Sequence, residues 1–196
     1  MALGAPILSP QRMRMHDLAM FAAWESVEAI EDFLNRTKLG QKMAAGWHLR
    51  MSFLRRWGLV RELNFLAEGS EDTDPNAVVS AFTLARMKLP EVPRFIRWGR
   101  PVETLIRDHP QKSFAMAAIR YPQSIATFSI WNTQQAMTDM VKGHSPVANP
   151  TRHVDAMQER DRRDFHHEFT TLRFKPEAEF GSWEGRNSLL PSGALA

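Results

Sequence analysis

The sequence predicts an α+β fold of two tandem modules, the first of them incomplete. Two observations carry that prediction. The first is an internal repeat. Residues 18–34 (LAMFAAWESVEAIEDFL) align without a gap with residues 125–141 (IATFSIWNTQQAMTDMV), at an offset of 107 residues. Ala19, Phe21, Trp24, Ala29 and Asp32 match Ala126, Phe128, Trp131, Ala136 and Asp139, while Ser26 stands against Thr133 and Ile30 against Met137. Each copy reads as an alternating strand ending in Trp, a Ser/Thr N-cap, and an amphipathic helix. The second observation is the order of elements from residue 77 onward, β-α-β-β-α-β, which is the ferredoxin-like order.

The elements follow in chain order. Residues 13–24 form the strand of the first copy, apolar on both sides: Leu18, Met20, Ala22 and Trp24 on one, Ala19, Phe21 and Ala23 on the other. Ser26 caps the next helix, with Glu25 and Glu28 at its positive end and Ala29, Ile30, Phe33 and Leu34 as its buried stripe. Residues 37–46 make a helical turn closing at Gly46. Residues 47–57 alternate as a strand, with Trp47, Leu49, Met51 and Phe53 on one face. A polar linker containing GSEDTDPN follows, and its Glu71, Asp72 and Asp74 read as solvated loop charges.

The second module opens with a strand at residues 77–87. Pro90 and Pro93 suit a first helical turn, with Val92, Phe95, Ile96 and Gly99 on its inner face, and Pro101 is expected to break this helix into two. Residues 114–120 are a strand, and Tyr121-Pro122-Gln123 turns the chain into the second repeat copy. A loop with two prolines precedes a charged helix at 153–164, and residues 165–174 are the last strand. The boundaries are therefore 12–58 for the partial module, 59–76 for the linker, 77–186 for the complete module, and 187–196 for a tail expected to be disordered. About 45 residues precede the repeat copy in module two and only 17 precede it in module one. Either the first module has lost its opening β-α-β or the chain begins downstream of its natural start, and the second is the expectation.

Composition narrows the function. The 25 basic and 22 acidic residues are interspersed, with a formal net charge of +3, so the surface is mixed and carries no nucleic-acid stripe. Without cysteine there is no disulfide, thiolate-ligated haem, Cys-bound zinc or Cys-ligated iron–sulfur cluster, a composition compatible with the cytoplasm. The N-terminus lacks the basic and long apolar regions of a signal peptide. No run approaches the length of a membrane span, although association with a membrane surface is compatible with the sequence. GxGxxG, Walker A, GxSxG and HExxH motifs are absent.

Further residues carry a resemblance. Ala77-Val78-Val79, Leu84-Ala85-Arg86 and Arg94-Phe95-Ile96-Arg97-Trp98 lead to the strand Thr127-Phe128-Ser129-Ile130-Trp131. Met137, His153, Phe165, Glu168, Arg173-Phe174 and the closing Gly181-Ser182-Trp183-Glu184-Gly185 complete the set. Over residues 15–186 this pattern resembles the spheroidene monooxygenase (carotenoid 2-ketolase) family, within the dimeric α/β-barrel superfamily of ferredoxin-like modules packed sheet to sheet. The chain departs from that family in lacking the N-terminal β-α-β and in a longer loop between His144 and His153. The resemblance implies a haem-dependent monooxygenase that inserts oxygen into an apolar, carotenoid-like substrate, with O2 and an electron donor of unspecified type as partners. A homodimer is compatible with it. Two other classes stay open: a non-catalytic binder of haem or a hydrophobic ligand, and a cofactor-free monooxygenase of the same scaffold, in which the substrate itself reduces O2.

Candidate residues divide accordingly. With haem implied and Cys absent, His153 is the candidate axial ligand and metal-binding residue, with His144 second; each also reads as a solvent or loop-bonded histidine. Arg97 is a candidate for a haem propionate, or an ordinary exposed arginine. Trp131 is a candidate pocket wall, or a core residue at a strand-to-helix junction. His166 and Glu168 share a strand face by simple alternation and form a candidate proton relay, or a polar surface. The same alternation puts His167 with Phe165, Phe169 and Arg173.

Overall fold

A computed structural model describes residues 1–7, 9–69 and 74–194. Alternation in the second module becomes four antiparallel strands: β2 (Val79–Met87), β3 (Lys112–Arg120), β4 (Ser124–Trp131) and β5 (His166–Phe180). Helix α3 (Val92–Arg107) joins β2 to β3, while α4 (Gln134–Lys142) and α5 (Arg152–Arg162) join β4 to β5. The first module supplies α1 (Val27–Arg36), α2 (Lys38–Ala44) and β1 (His48–Leu59). The sheet order is β1-β5-β2-β4-β3. Its last four strands reproduce the ferredoxin-like order, and β1 extends the sheet by pairing antiparallel with β5. The α+β class holds, with one complete ferredoxin-like unit and an incomplete first module.

The sheet has two apolar faces, as a strand set with hydrophobics on alternating sides requires. On the face toward α3–α5, Val79 and Trp131 meet Leu105, Met137 and Met140. Farther along it, Ala85, Met87 and Phe165 meet Val92, Phe95 and Trp98. On the opposite face, register stacks Phe82 beside Leu172 and Phe128, and Ser80 beside Phe174. That side is covered by Phe21, Leu63 and Leu66 at one end and by Trp183 and Leu189 at the other.

Helix starts follow their caps. Ser26 Oγ accepts the Ala29 N–H at 3.2 Å, and its repeat equivalent Thr133 Oγ1 accepts the Ala136 N–H at 3.1 Å. Thr37 Oγ1 accepts the Gly40 N–H at 2.8 Å and starts α2. A Cβ on Gly40 would lie 1.9 Å from the Phe33 carbonyl oxygen, so glycine is what lets α1 and α2 pack closely.

Three expectations are corrected. Residues 13–24 do not form a strand. The equivalent β4 lies between β2 and β3 and bonds to both, whereas the first copy pairs with no strand among the described residues. Instead Phe21 stacks on Phe82, with ring centroids 4.1 Å apart. Pro101 does not break α3, which runs through it as one helix. Phe95 and Trp98 before the proline, and Leu105 and Ile106 after it, hold both halves in the core despite the lost N–H. The final strand is longer than expected because β1 pairs with it as far as Phe180. In the tail, Leu189 is buried, and its N–H donates to Glu179 Oε1 at 2.7 Å. Of the linker carboxylates, Asp74 is exposed, while Glu71 and Asp72 lie outside the described residues.

Candidate active site

The α5–β5 junction gathers the chemistry. Pairing between β2 and β5 slips between Arg86 and Met87: Arg86 stands opposite Glu168, and Met87 opposite His166. His167 is the extra residue, and it points to solvent. The bulge turns His166 onto the face of Ala85, Met87 and Phe169 and leaves Glu168 on the other. The expected His166–Glu168 relay is therefore not formed, and Glu168 instead lies 3.2 Å from Arg86 Nε.

The carboxylate that His166 meets is Asp164. Its Oδ1 accepts the His166 backbone N–H at 2.9 Å and the ring Nδ1–H at 3.0 Å. An ionised carboxylate only accepts, so the proton sits on Nδ1 and Nε2 carries the lone pair. That Nε2 is buried and has no hydrogen-bond partner among the described residues. Three rings surround the imidazole: Phe169 at 5.0 Å, Phe165 at 5.7 Å and Phe95 at 5.8 Å between centroids. Burial is the main influence holding the His166 pKa below its ordinary value, with Arg160 and Lys88 pushing the same way and Asp164 opposing them. His166 is thus neutral at neutral pH and its lone pair is a base in an apolar cage.

Arginines close the cage from outside. The Arg160 guanidinium lies 4.2 Å over Phe169, with Nε 3.9 Å from Asp164 Oδ1. The Arg94 guanidinium lies 4.2 Å over Phe165 and pairs with Glu91 at 2.7 Å and with Glu159. Hydrogen bonds from Arg162 and then Arg94 outweigh desolvation and push the Glu159 carboxyl down to about 2. This network ties α5 to α3.

The other predicted residues are scattered. His153 is half-buried at the start of α5 and donates Nδ1–H to the Val141 carbonyl at 3.1 Å, leaving Nε2 free to coordinate. Burial lowers its pKa, against that hydrogen bond. His144 and Arg97 are exposed. Trp131 is enclosed in the core, its Nε1–H given to Ser129 Oγ at 2.9 Å and its ring against His109 at 4.9 Å, so packing occupies it on every side. The structure does not bring His153, His144, Arg97 and Trp131 together as one pocket. No group of three or more metal-ligating side chains occurs among the described residues. Two surface depressions, of about 440 Å3 along Glu28, Glu31 and Asp32 and about 250 Å3 beside Trp183, are not lined by histidine. His153 thus has a suitable donor atom, and it lines neither depression.

Asp164 was missed by sequence reasoning. The signal was the Asp-x-His spacing, since an Asp side chain bonds readily to the backbone N–H two residues on.

No family model matches the chain, and no curated protein matches it. One solved structure, described as an anthrone oxidase-like protein, is similar at 13% sequence identity with a TM-score of 0.39, over 84% of this chain and 73% of that one.

Proposed function

We propose that this protein is an oxidoreductase that joins an apolar substrate to O2 without a cofactor, with His166 as base and Asp164 as the residue that orients it. The observation that carries this reading is the buried, unpartnered Nε2 of His166 in a cage of Phe95, Phe165 and Phe169. A buried polar atom with no partner calls for a ligand or a chemical role. An activated C–H or O–H of the substrate breaks and its proton goes to Nε2. The electron pair left on the substrate carbon forms a C–O bond with O2, the imidazolium returns the proton to the peroxide, and loss of water leaves a carbonyl. Asp164 holds the tautomer and stabilises the imidazolium. Phenylalanine rings suit a flat apolar substrate, which reaches Nε2 only if Arg160 leaves its place over Phe169.

The test is oxygen uptake with oxidisable fused-ring phenols in the presence of a metal chelator. Uptake by the native protein that is lost in His166→Ala supports the reading. Equal uptake by the two proteins would sink it.

A second reading is a haem-dependent monooxygenase of a carotenoid-like substrate. It rests on the sequence resemblance and on the free Nε2 of His153. Its test is a Soret band on adding haem that disappears in His153→Ala. Exposed Met15, Leu18, Met20 and Trp24 are the surface through which a homodimer or a membrane surface would engage. No helix of the described chain is long and apolar enough to cross a membrane.

A further inference from the structure

The 250 Å3 depression lies away from the His166 cage, between the start of β3 and the Trp183 turn. Arg14, Arg107, Lys112 and Arg186 line it, with Glu184 as the one carboxylate among its lining residues. Four cationic side chains and the Met1 ammonium around one small concavity repel one another unless an anion joins them. Two of the four are already engaged: Arg14 with Asp17 and Glu184, and Arg107 with Asp108 through two bonds of 2.7 and 2.8 Å. Lys112 and Arg186 have no ion-pair partner within 4 Å among the described residues. Burial, then the nearby Arg186, and also Arg107, lower the Lys112 pKa against the pull of Asp108, so the charges sense one another.

The wall is aromatic as well as cationic. Trp183 and Phe114 line the depression with ring centroids 5.4 Å apart at 75°, and the Arg14 guanidinium lies 5.1 Å from the Trp183 ring. Phe114 is buried against Trp47 and Phe128, so the ring within reach of a ligand is that of the half-buried Trp183, which phosphate alone would leave unused. At about 250 Å3 the space falls below the roughly 300–1,000 Å3 of drug-sized pockets, so the ligand is small. We propose that this depression is a binding site for a small aromatic carboxylate, its anionic end on Lys112 and Arg186 and its ring against Trp183. The assignment is independent of the His166 reading.

Isothermal titration of the full chain with benzoate, and separately with inorganic phosphate, in a buffer without competing anions tests it. Lys112→Gln and Arg186→Gln are compared with Arg100→Gln, an exposed arginine on α3 outside the depression. The expected result is saturable benzoate binding that is about tenfold weaker in the first two variants, unchanged in Arg100→Gln, and progressively lost with added salt. Absence of saturable benzoate binding, equal affinity in all three variants, or phosphate binding as tight as benzoate would each overturn the proposal. Circular dichroism of the variants confirms that the fold is kept.

Discussion

Asp164 Oδ1 bonds twice to the residue two places on, to the backbone N–H and to Nδ1–H of His166. One carboxylate oxygen therefore sets both the start of β5 and the tautomer of the imidazole. In Asp164→Asn the amide can present an N–H to Nδ1, which moves the ring proton to Nε2 and removes the basic lone pair. Oxygen uptake should fall by about a hundredfold or more. The 15N shifts of the His166 ring nitrogens should exchange character while the fold is retained. Unchanged ring shifts in Asp164→Asn would show that Asp164 does not set the tautomer.

Acid should destabilise the chain earlier than its carboxylates alone predict. His109, His153 and His166 all have pKa values lowered first by burial. A group depressed in the fold binds more protons when unfolded. Its stabilising contribution is therefore complete above the unfolded value of about 6.5 and is lost as pH falls toward the folded value. Denaturant midpoints should be level above about pH 7 and should decline from about pH 6.5, ahead of the carboxylate range. His166→Phe should flatten part of the slope, and a slope unchanged in that variant would show that His166 is not charging there.

Trp24 and Trp131 hold the same place in the repeat but different places in the fold. Trp131 is 1% exposed and enclosed by Val79, Leu105, Met137 and Met140, while Trp24 is 39% exposed and touches Phe33. Trp131→Ala should cost about 3–5 kcal/mol in urea unfolding. Trp24→Ala should cost less than about 2 kcal/mol, since far less area leaves water there. Equal losses would mean that Trp24 is buried in solution, for instance against a second copy of the chain.

The repeat explains what was legible. Ser26 and Thr133 were readable as caps because capping is a local bond between a side chain and a backbone N–H three residues on. The β-α-β-β-α-β order was readable because each strand of module two alternates and is bounded by turns. The strand at 13–24 was misread because alternation specifies a willing strand and not a partner for it. His166 was recognised as a candidate, yet its partner was misassigned. Simple alternation puts Glu168 on its face, and the bulge at His167, which depends on pairing with β2, was invisible in one segment. Trp131 shows the opposite case, where the packing explanation available from the sequence was the right one.

Glycine positions give the last prediction. Gly40 and Gly99 both sit within helices, where alanine is ordinarily favoured by up to about 1 kcal/mol. Their surroundings differ. A Cβ at Gly99 meets nothing nearer than the Phe95 ring at 3.8 Å, an ordinary contact. A Cβ at Gly40 meets the α1 backbone: the Phe33 carbonyl oxygen at 1.9 Å, its carbon at 2.6 Å and Leu34 Cα at 2.8 Å. Backbone cannot rotate aside as a side-chain tip can, so α2 must move off α1. Gly99→Ala should therefore raise the thermal midpoint and Gly40→Ala should lower it, the latter by an amount equivalent to about 1–3 kcal/mol. The pair controls for helix propensity, because propensity alone gives both substitutions the same sign. Stabilisation by Gly40→Ala would show that α1 and α2 are not held in close contact.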